Sequence, residues 1–117
     1  MSITLYGIPN CDTVKKARTW LTEQGIAYDF HDFKKAGVSR ELLQAWLHTL
    51  DRDDLLNRRG TTWRALPQER RDAVVDDASA IALMMEAPSL IKRPVLDKDG
   101  AMHVGFSADQ YLQIFAR

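Results

Sequence analysis

The chain has 117 residues, 45% of them hydrophobic and 27% charged, and its 16 basic and 16 acidic side chains cancel to a formal net charge of zero. That length suits one compact domain able to bury a core without staples, and the balanced charge leaves no electrostatic footprint for nucleic acid or a membrane surface. A single cysteine excludes an internal disulfide, and no run approaches the roughly 18 apolar residues of a membrane span.

Three zones follow one another along the chain. Ile3 to Tyr6 reads as a short apolar strand, and Gly7, Pro9 and Asn10 read as the turn after it. A helix from about Asp12 to Gln24 follows, with Val14, Ala17, Trp20 and Leu21 at helical spacing and Gly25 as its stop. Ala27 to Phe33 alternates apolar and polar with period two, the pattern of a strand with one buried face. Strand, helix and strand joined in this way predict a parallel pair with a right-handed crossover.

The middle zone, Ser39 to about Ala87, reads as a run of helices. Ser39 caps an apolar stripe of Leu42, Leu43, Trp46, Leu47 and Leu50. Thr61 to Leu66 stays open between helix and loop. Pro67-Gln68-Glu69-Arg70 opens a helix with proline in its first turn, and Ile81 to Glu86 forms another that ends before Pro88. The mixed-sign charges between Asp51 and Asp77 read as solvated helix faces.

The third zone predicts an antiparallel hairpin, Pro94 to Asp97 and Met102 to Gly105, turning on Lys98-Asp99-Gly100. Ser107 and Gln110 have the spacing of a capping box, and Tyr111, Leu112, Ile114 and Phe115 give the last helix its buried side. The flanking zones supply the strands that the helical middle would cover. The whole is therefore expected to be one domain, 1–117, with an insertion at about 39–87.

Cys11 stands where the first strand hands over to the first helix. The unpaired N–H groups of a helix N-terminus favour a thiolate, and such sites lower a cysteine pKa from about 8.5 to about 3.5–7.5. Two readings remain at this level, a nucleophile or a buried apolar cysteine. No secretory signal is expected from Met1-Ser2-Ile3-Thr4, and a reducing cytoplasm is the expected compartment for such a thiol. His31, His48 and His103 show no ligand spacing, so no metal site is expected. Trp20, Trp46 and Trp63 read as packing residues.

A β-α-β unit with a cysteine at its first helix, then helices, then β-β-α opened by an X-Pro step, is a thioredoxin-like arrangement. The segments Tyr6-Gly7-Ile8-Pro9-Asn10-Cys11-Asp12-Thr13-Val14-Lys15-Lys16-Ala17 and Ile91-Lys92-Arg93-Pro94-Val95 resemble the signatures of the ArsC/Spx/YffB family. The form of the first segment is most similar to the YffB-type branch. The resemblance implies an α/β fold with a four-stranded mixed sheet flanked by helices. It also implies a cis bond between Arg93 and Pro94, with Arg93 beside Cys11 as the thiolate's partner; X-Pro is the one common place for a cis bond.

Further roles follow from the residues themselves and from the same resemblance. Thr13 takes the place of the second sulfur in a Cys-X-X-Cys motif; its hydroxyl either donates to the Cys11 thiolate or caps the helix. Asn10 and Pro9 shape the turn, with Asn10 and Pro94 also counted among the substrate- or anion-binding candidates; Asp12 lies at the surface, and Lys15 and Lys16 are solvated. Arg58, next to Arg59, is a second anion-binding candidate. Arsenate reductases of this family carry a histidine four residues before the cysteine and two further arginines. Those positions fall here on Gly7, Asn57 and Phe106, so efficient arsenate reduction is not expected.

The expected activity is that of a monomeric, glutathione-dependent thiol–disulfide reductase. Cys11 is its nucleophile, glutathione its co-substrate and resolving thiol, and a disulfide or oxidised molecule its substrate; no cofactor is bound. The alternatives are an arsenate reductase with altered anion ligands and a non-enzymatic, Spx-like partner-binding regulator.

Overall fold

The computed structural model describes residues 2–116. The chain divides into two compact units, one formed by the residues up to Asp32 together with those from Arg93 onward, the other by Phe33–Lys92. The helical unit thus begins earlier and ends later than the 39–87 expected of the insertion.

The first unit carries the sheet. Its elements are β1 (Ile3–Gly7), α1 (Asp12–Glu23), β2 (Asp29–Asp32), β3 (Val95–Lys98) and β4 (Ala101–Val104), followed by a C-terminal helix, Ala108–Ile114. The strand order is β2-β1-β3-β4. β1 runs parallel to β2 and antiparallel to β3, and β3 runs antiparallel to β4, so the sheet is the expected four-stranded mixed one.

Register places Leu5 opposite both Phe30 and Leu96, which puts these apolar residues on one face. There Ile3, Leu5 and Leu96 pack with Ala17 and Leu21 of α1 and Tyr111 of the C-terminal helix. Trp20, Phe30, Phe106 and Phe115 close around them. Trp20 and Phe106 both meet Tyr111 edge-on, the arrangement aromatic quadrupoles favour.

The turns follow their residues. Gly25 stops α1 with φ +69°, and Asp99 and Gly100 both take positive φ in the two-residue hairpin loop. Asp-Gly suits such a loop because both central positions are left-handed. The Asp97 side chain accepts from the Gly100 N–H at 2.9 Å and fixes the turn further.

The second unit is helical: α2 (Phe33–Ala36), α3 (Arg40–Trp46), α4 (Arg52–Leu55), α5 (Thr61–Arg64), α6 (Gln68–Asp72) and α7 (Asp77–Glu86), then a 3-10 turn at Pro88–Leu90. The C-terminal helix of the first unit is α8. Ser39 accepts from the Leu42 N–H and caps α3 as expected. Leu43, Trp46, Leu55, Trp63, Ile81, Met84 and Leu90 are buried. No helix among the described residues is long and apolar enough to cross a membrane.

Four local expectations are corrected. Ala27 to Phe33 is not one strand: β2 keeps only Asp29–Asp32, and buried Phe33 opens α2, its ring 6.4 Å from Trp46. Pro67 is the N-cap of α6 rather than a first-turn residue. Ser107 does accept from the Gln110 N–H, but the Gln110 side chain donates to the Val104 carbonyl, so the capping box is half made. Leu112 points outward at 54% exposure, leaving Tyr111 as the buried residue of α8.

Candidate functional site

Cys11 and the groups that act on it belong to the first unit. β1 ends at Gly7, the chain turns through Ile8, Pro9 and Asn10, and the Cys11 N–H donates to the Ile8 carbonyl at 3.1 Å. Pro9 and Asn10 are exposed and belong to the turn. Cys11 is the N-cap of α1, with extended backbone, and its carbonyl accepts from the Lys15 N–H at 2.9 Å. An N-cap side chain faces the N–H groups two and three residues on. Here those are Thr13 and Val14.

Arg93 completes the site from the chain leading into β3, the strand that pairs directly with β1. It stands immediately before β3, joined to Pro94 by the cis peptide bond that the family resemblance implied. The Pro94 carbonyl accepts from the Gly105 N–H at 2.8 Å, which ties this turn to the end of β4.

The electrostatics favour sulfur as an anion. Partial burial pushes the Cys11 thiol up, yet it is outweighed by the Val14 N–H, a hydrogen bond from the Arg93 side chain, the Thr13 N–H and the Arg93 charge. The thiol therefore ionises below its ordinary range. The half-buried sulfur makes no ordinary side-chain cap hydrogen bond. The amides act on it as a small positive pocket, which is how a helix start holds an anion.

Thr13 thus contributes through its main chain, where the sequence suggested its hydroxyl. Val14 is the contributor that residue type did not reveal. The signal was available by counting three residues on from Cys11 once it is taken as an N-cap. Asp12, Lys15 and Lys16 are exposed, as expected.

The remaining candidates have partners of their own. Arg58 lies in the helical unit, where its guanidinium pairs with Asp53 at 2.9 Å and sits 5.3 Å from the Trp63 ring centroid. Asn57 accepts from the Arg59 N–H and donates its own N–H to the Leu90 carbonyl, which makes it a loop-shaping residue. Phe106 packs against Tyr111, with ring centroids 4.7 Å apart. At Gly7 a Cβ would stand 2.8 Å from Val14 Cγ2, so a histidine cannot be added there without displacing Val14.

The histidines serve other ends. His31 packs against Tyr6 with the rings tilted by 44°, and burial followed by the Lys98 charge lowers the His103 pKa. No cluster of three His, Cys, Asp or Glu side chains capable of holding a metal occurs among the described residues.

A thiolate held in this way is a nucleophile, and it stands beside a cation able to hold a carboxylate or a leaving anion. The family model described as the ArsC family matches residues 6–114. A solved protein named YFFB is 50% identical, with TM-score 0.92, covering 98% of this chain and 100% of that one. An arsenate reductase (ArsC) related protein from Brucella melitensis is 53% identical, with TM-score 0.77, over 100% of this chain and 97% of its own. The global transcriptional regulator Spx of Streptococcus agalactiae serotype V is 31% identical over 113 residues, 92% of this chain and 79% of the regulator.

Proposed function

This chain belongs to the ArsC family, and we propose that within it the protein is a glutathione-dependent thiol–disulfide reductase working by a monothiol cycle. The observation that carries the reading is the Cys11 sulfur set against the Val14 and Thr13 amides and the Arg93 side chain, in a chain with no second cysteine.

For a mixed disulfide R–S–S–G, the Cys11 thiolate attacks the glutathione sulfur. The Cys11–S–S–G bond forms, the R–S bond breaks, and R–S⁻ leaves to take a proton from solvent. A second glutathione, as thiolate, then attacks the bound glutathione sulfur. Oxidised glutathione departs and the Cys11 thiolate returns. The sum is R–S–S–G plus one glutathione giving R–SH plus oxidised glutathione, with the electron pair supplied by glutathione.

Arg93 holds the thiolate before attack and the carboxylate of the bound tripeptide after it, a task suited to a planar guanidinium fork. Arg58, paired with Asp53, has no step assigned to it. An arsenate-reducing cycle is disfavoured because Gly7 and Phe106 supply no side-chain oxyanion ligand and Asn57 supplies no positive charge. An oxyanion site without such a charge-assisted hydrogen bond is weaker by about 1.5–3 kcal/mol for each one missing.

A turnover assay with hydroxyethyl disulfide tests the reading. The expected rate of oxidised glutathione formation rises in proportion to reduced glutathione and requires no dithiol donor. A protein with an acidic Cys11 that gives no turnover above the uncatalysed rate supports the regulator reading instead, in line with the Spx relative.

A further inference from the structure

Gly7 closes β1 and Val14 lies in the first turn of α1, so the two flank the turn that carries Cys11. A Cβ on Gly7 would lie 2.8 Å from Val14 Cγ2 and 3.2 Å from Cγ1. Carbon atoms pack best at about 3.5–4.0 Å. Val14 is fully buried, and a β-branched side chain in a helix has essentially one comfortable χ1 well. It cannot turn its methyls aside. Gly7 is not among the glycines with positive φ, so the backbone itself does not demand glycine here. What the position demands is space.

We propose that Gly7 is a positioning residue for Cys11: the room left by its missing Cβ seats the Val14 side chain against the end of β1, and that seat holds the Val14 N–H at the sulfur. This rests on the reading of Cys11 as a thiolate nucleophile and adds to it the contact that sets how firmly the thiolate is held. A methyl at position 7 pushes Val14 outward, and the first turn of α1 moves with it because Val14 has no other well to enter. The N–H three residues past the cap then leaves the sulfur. Arg93, reaching in from before β3, and the Thr13 N–H continue to act on it. Asp12 and Lys15, the charged neighbours on α1 itself, stay in solvent.

The test is the pH profile of Cys11 alkylation by iodoacetamide in the wild type, Gly7→Ala, Val14→Ala and the double variant. In Gly7→Ala the midpoint is expected to move up by about half a unit or more, towards the ordinary thiol value. Val14→Ala keeps the backbone donor but loosens its seat, and moves the midpoint up by less. The double variant places the new Cβ opposite the Val14 Cβ, 3.6 Å away and in ordinary contact, so its midpoint returns towards wild type. That recovery separates positioning from general damage.

An unchanged midpoint in Gly7→Ala overturns the proposal, as does a double variant no closer to wild type than the single ones. If Gly7→Ala does not fold, the comparison of Val14→Ala with the double variant decides in the same way. A wild-type midpoint at the ordinary thiol value sinks the thiolate reading itself, an outcome distinct from the failure of Gly7 alone.

Discussion

Cys11→Ser is expected to lose thiol–disulfide exchange by at least about a thousandfold, as when a nucleophile is removed from a covalent mechanism, while the fold holds or gains stability. The two halves of that result come from the same position. Cys11 is the N-cap of α1 and its side chain makes no ordinary cap hydrogen bond. Serine is among the best N-cap residues and accepts from the N–H groups two or three residues on, the same amides that act on the sulfur, so the helix start keeps its cap. A urea titration beside the turnover assay therefore separates chemistry from folding. Loss of activity together with a lower unfolding midpoint would contradict this role for the cap.

The stability difference also depends on pH. Because the folded thiol ionises below its unfolded value, the thiolate's contribution to wild-type stability is present above the unfolded value and is lost as pH falls through the folded one. The serine variant has no such contribution, so its advantage is largest in mild acid and shrinks as pH rises.

Arg93→Ala is the second large effect, a fall of about 10- to 100-fold in exchange rate at neutral pH, equivalent to the 1.5–3 kcal/mol of a hydrogen bond to a charged group. Arg93 acts on the sulfur through both a hydrogen bond and its charge. Without it the Cys11 pKa rises towards the ordinary thiol range, and less thiolate is present at pH 7. Raising the pH restores the thiolate. The deficit in alkylation rate should therefore close above the ordinary thiol value, while any deficit in glutathione turnover that persists there reports the missing partner of the glutathione carboxylate. Arg93→Lys should fall between, keeping the charge but not the planar fork. An alkylation profile unchanged in Arg93→Ala would remove Arg93 from the site.

Local pattern was enough to read the elements of the first unit whose signals are short and strong. The Asp99-Gly100 loop, the Gly25 stop and the Ser107 cap each follow from a residue whose backbone or side-chain chemistry has few alternatives. β2 reads too long in the sequence because period-two alternation continues through Phe33, whereas the burial that decides Phe33 comes from Trp46 in the helical unit. The short α2 and α4 span four residues each and are too brief to show a helical period.

The site was legible to different depths. Cys11 at a helix start follows from the turn residues before it. Its pairing with Arg93 does not, since no spacing rule joins residues so far apart in sequence, and only the family resemblance suggested it. Val14 and Thr13 act through their amides, which every residue but proline carries, so residue type gives no signal. Gly7 is the same problem reversed: its contribution is an absent atom, visible only once Val14 is seen 2.8 Å from where that atom would be.

Intact-protein mass spectrometry of the oxidised and re-reduced chain tests the central claim most directly. After oxidised glutathione, the monothiol cycle predicts one added glutathione, mapped to Cys11, and its complete removal by reduced glutathione with release of the oxidised dimer. A chain that takes up no glutathione, or that keeps the adduct in the presence of excess reduced glutathione, would contradict that cycle.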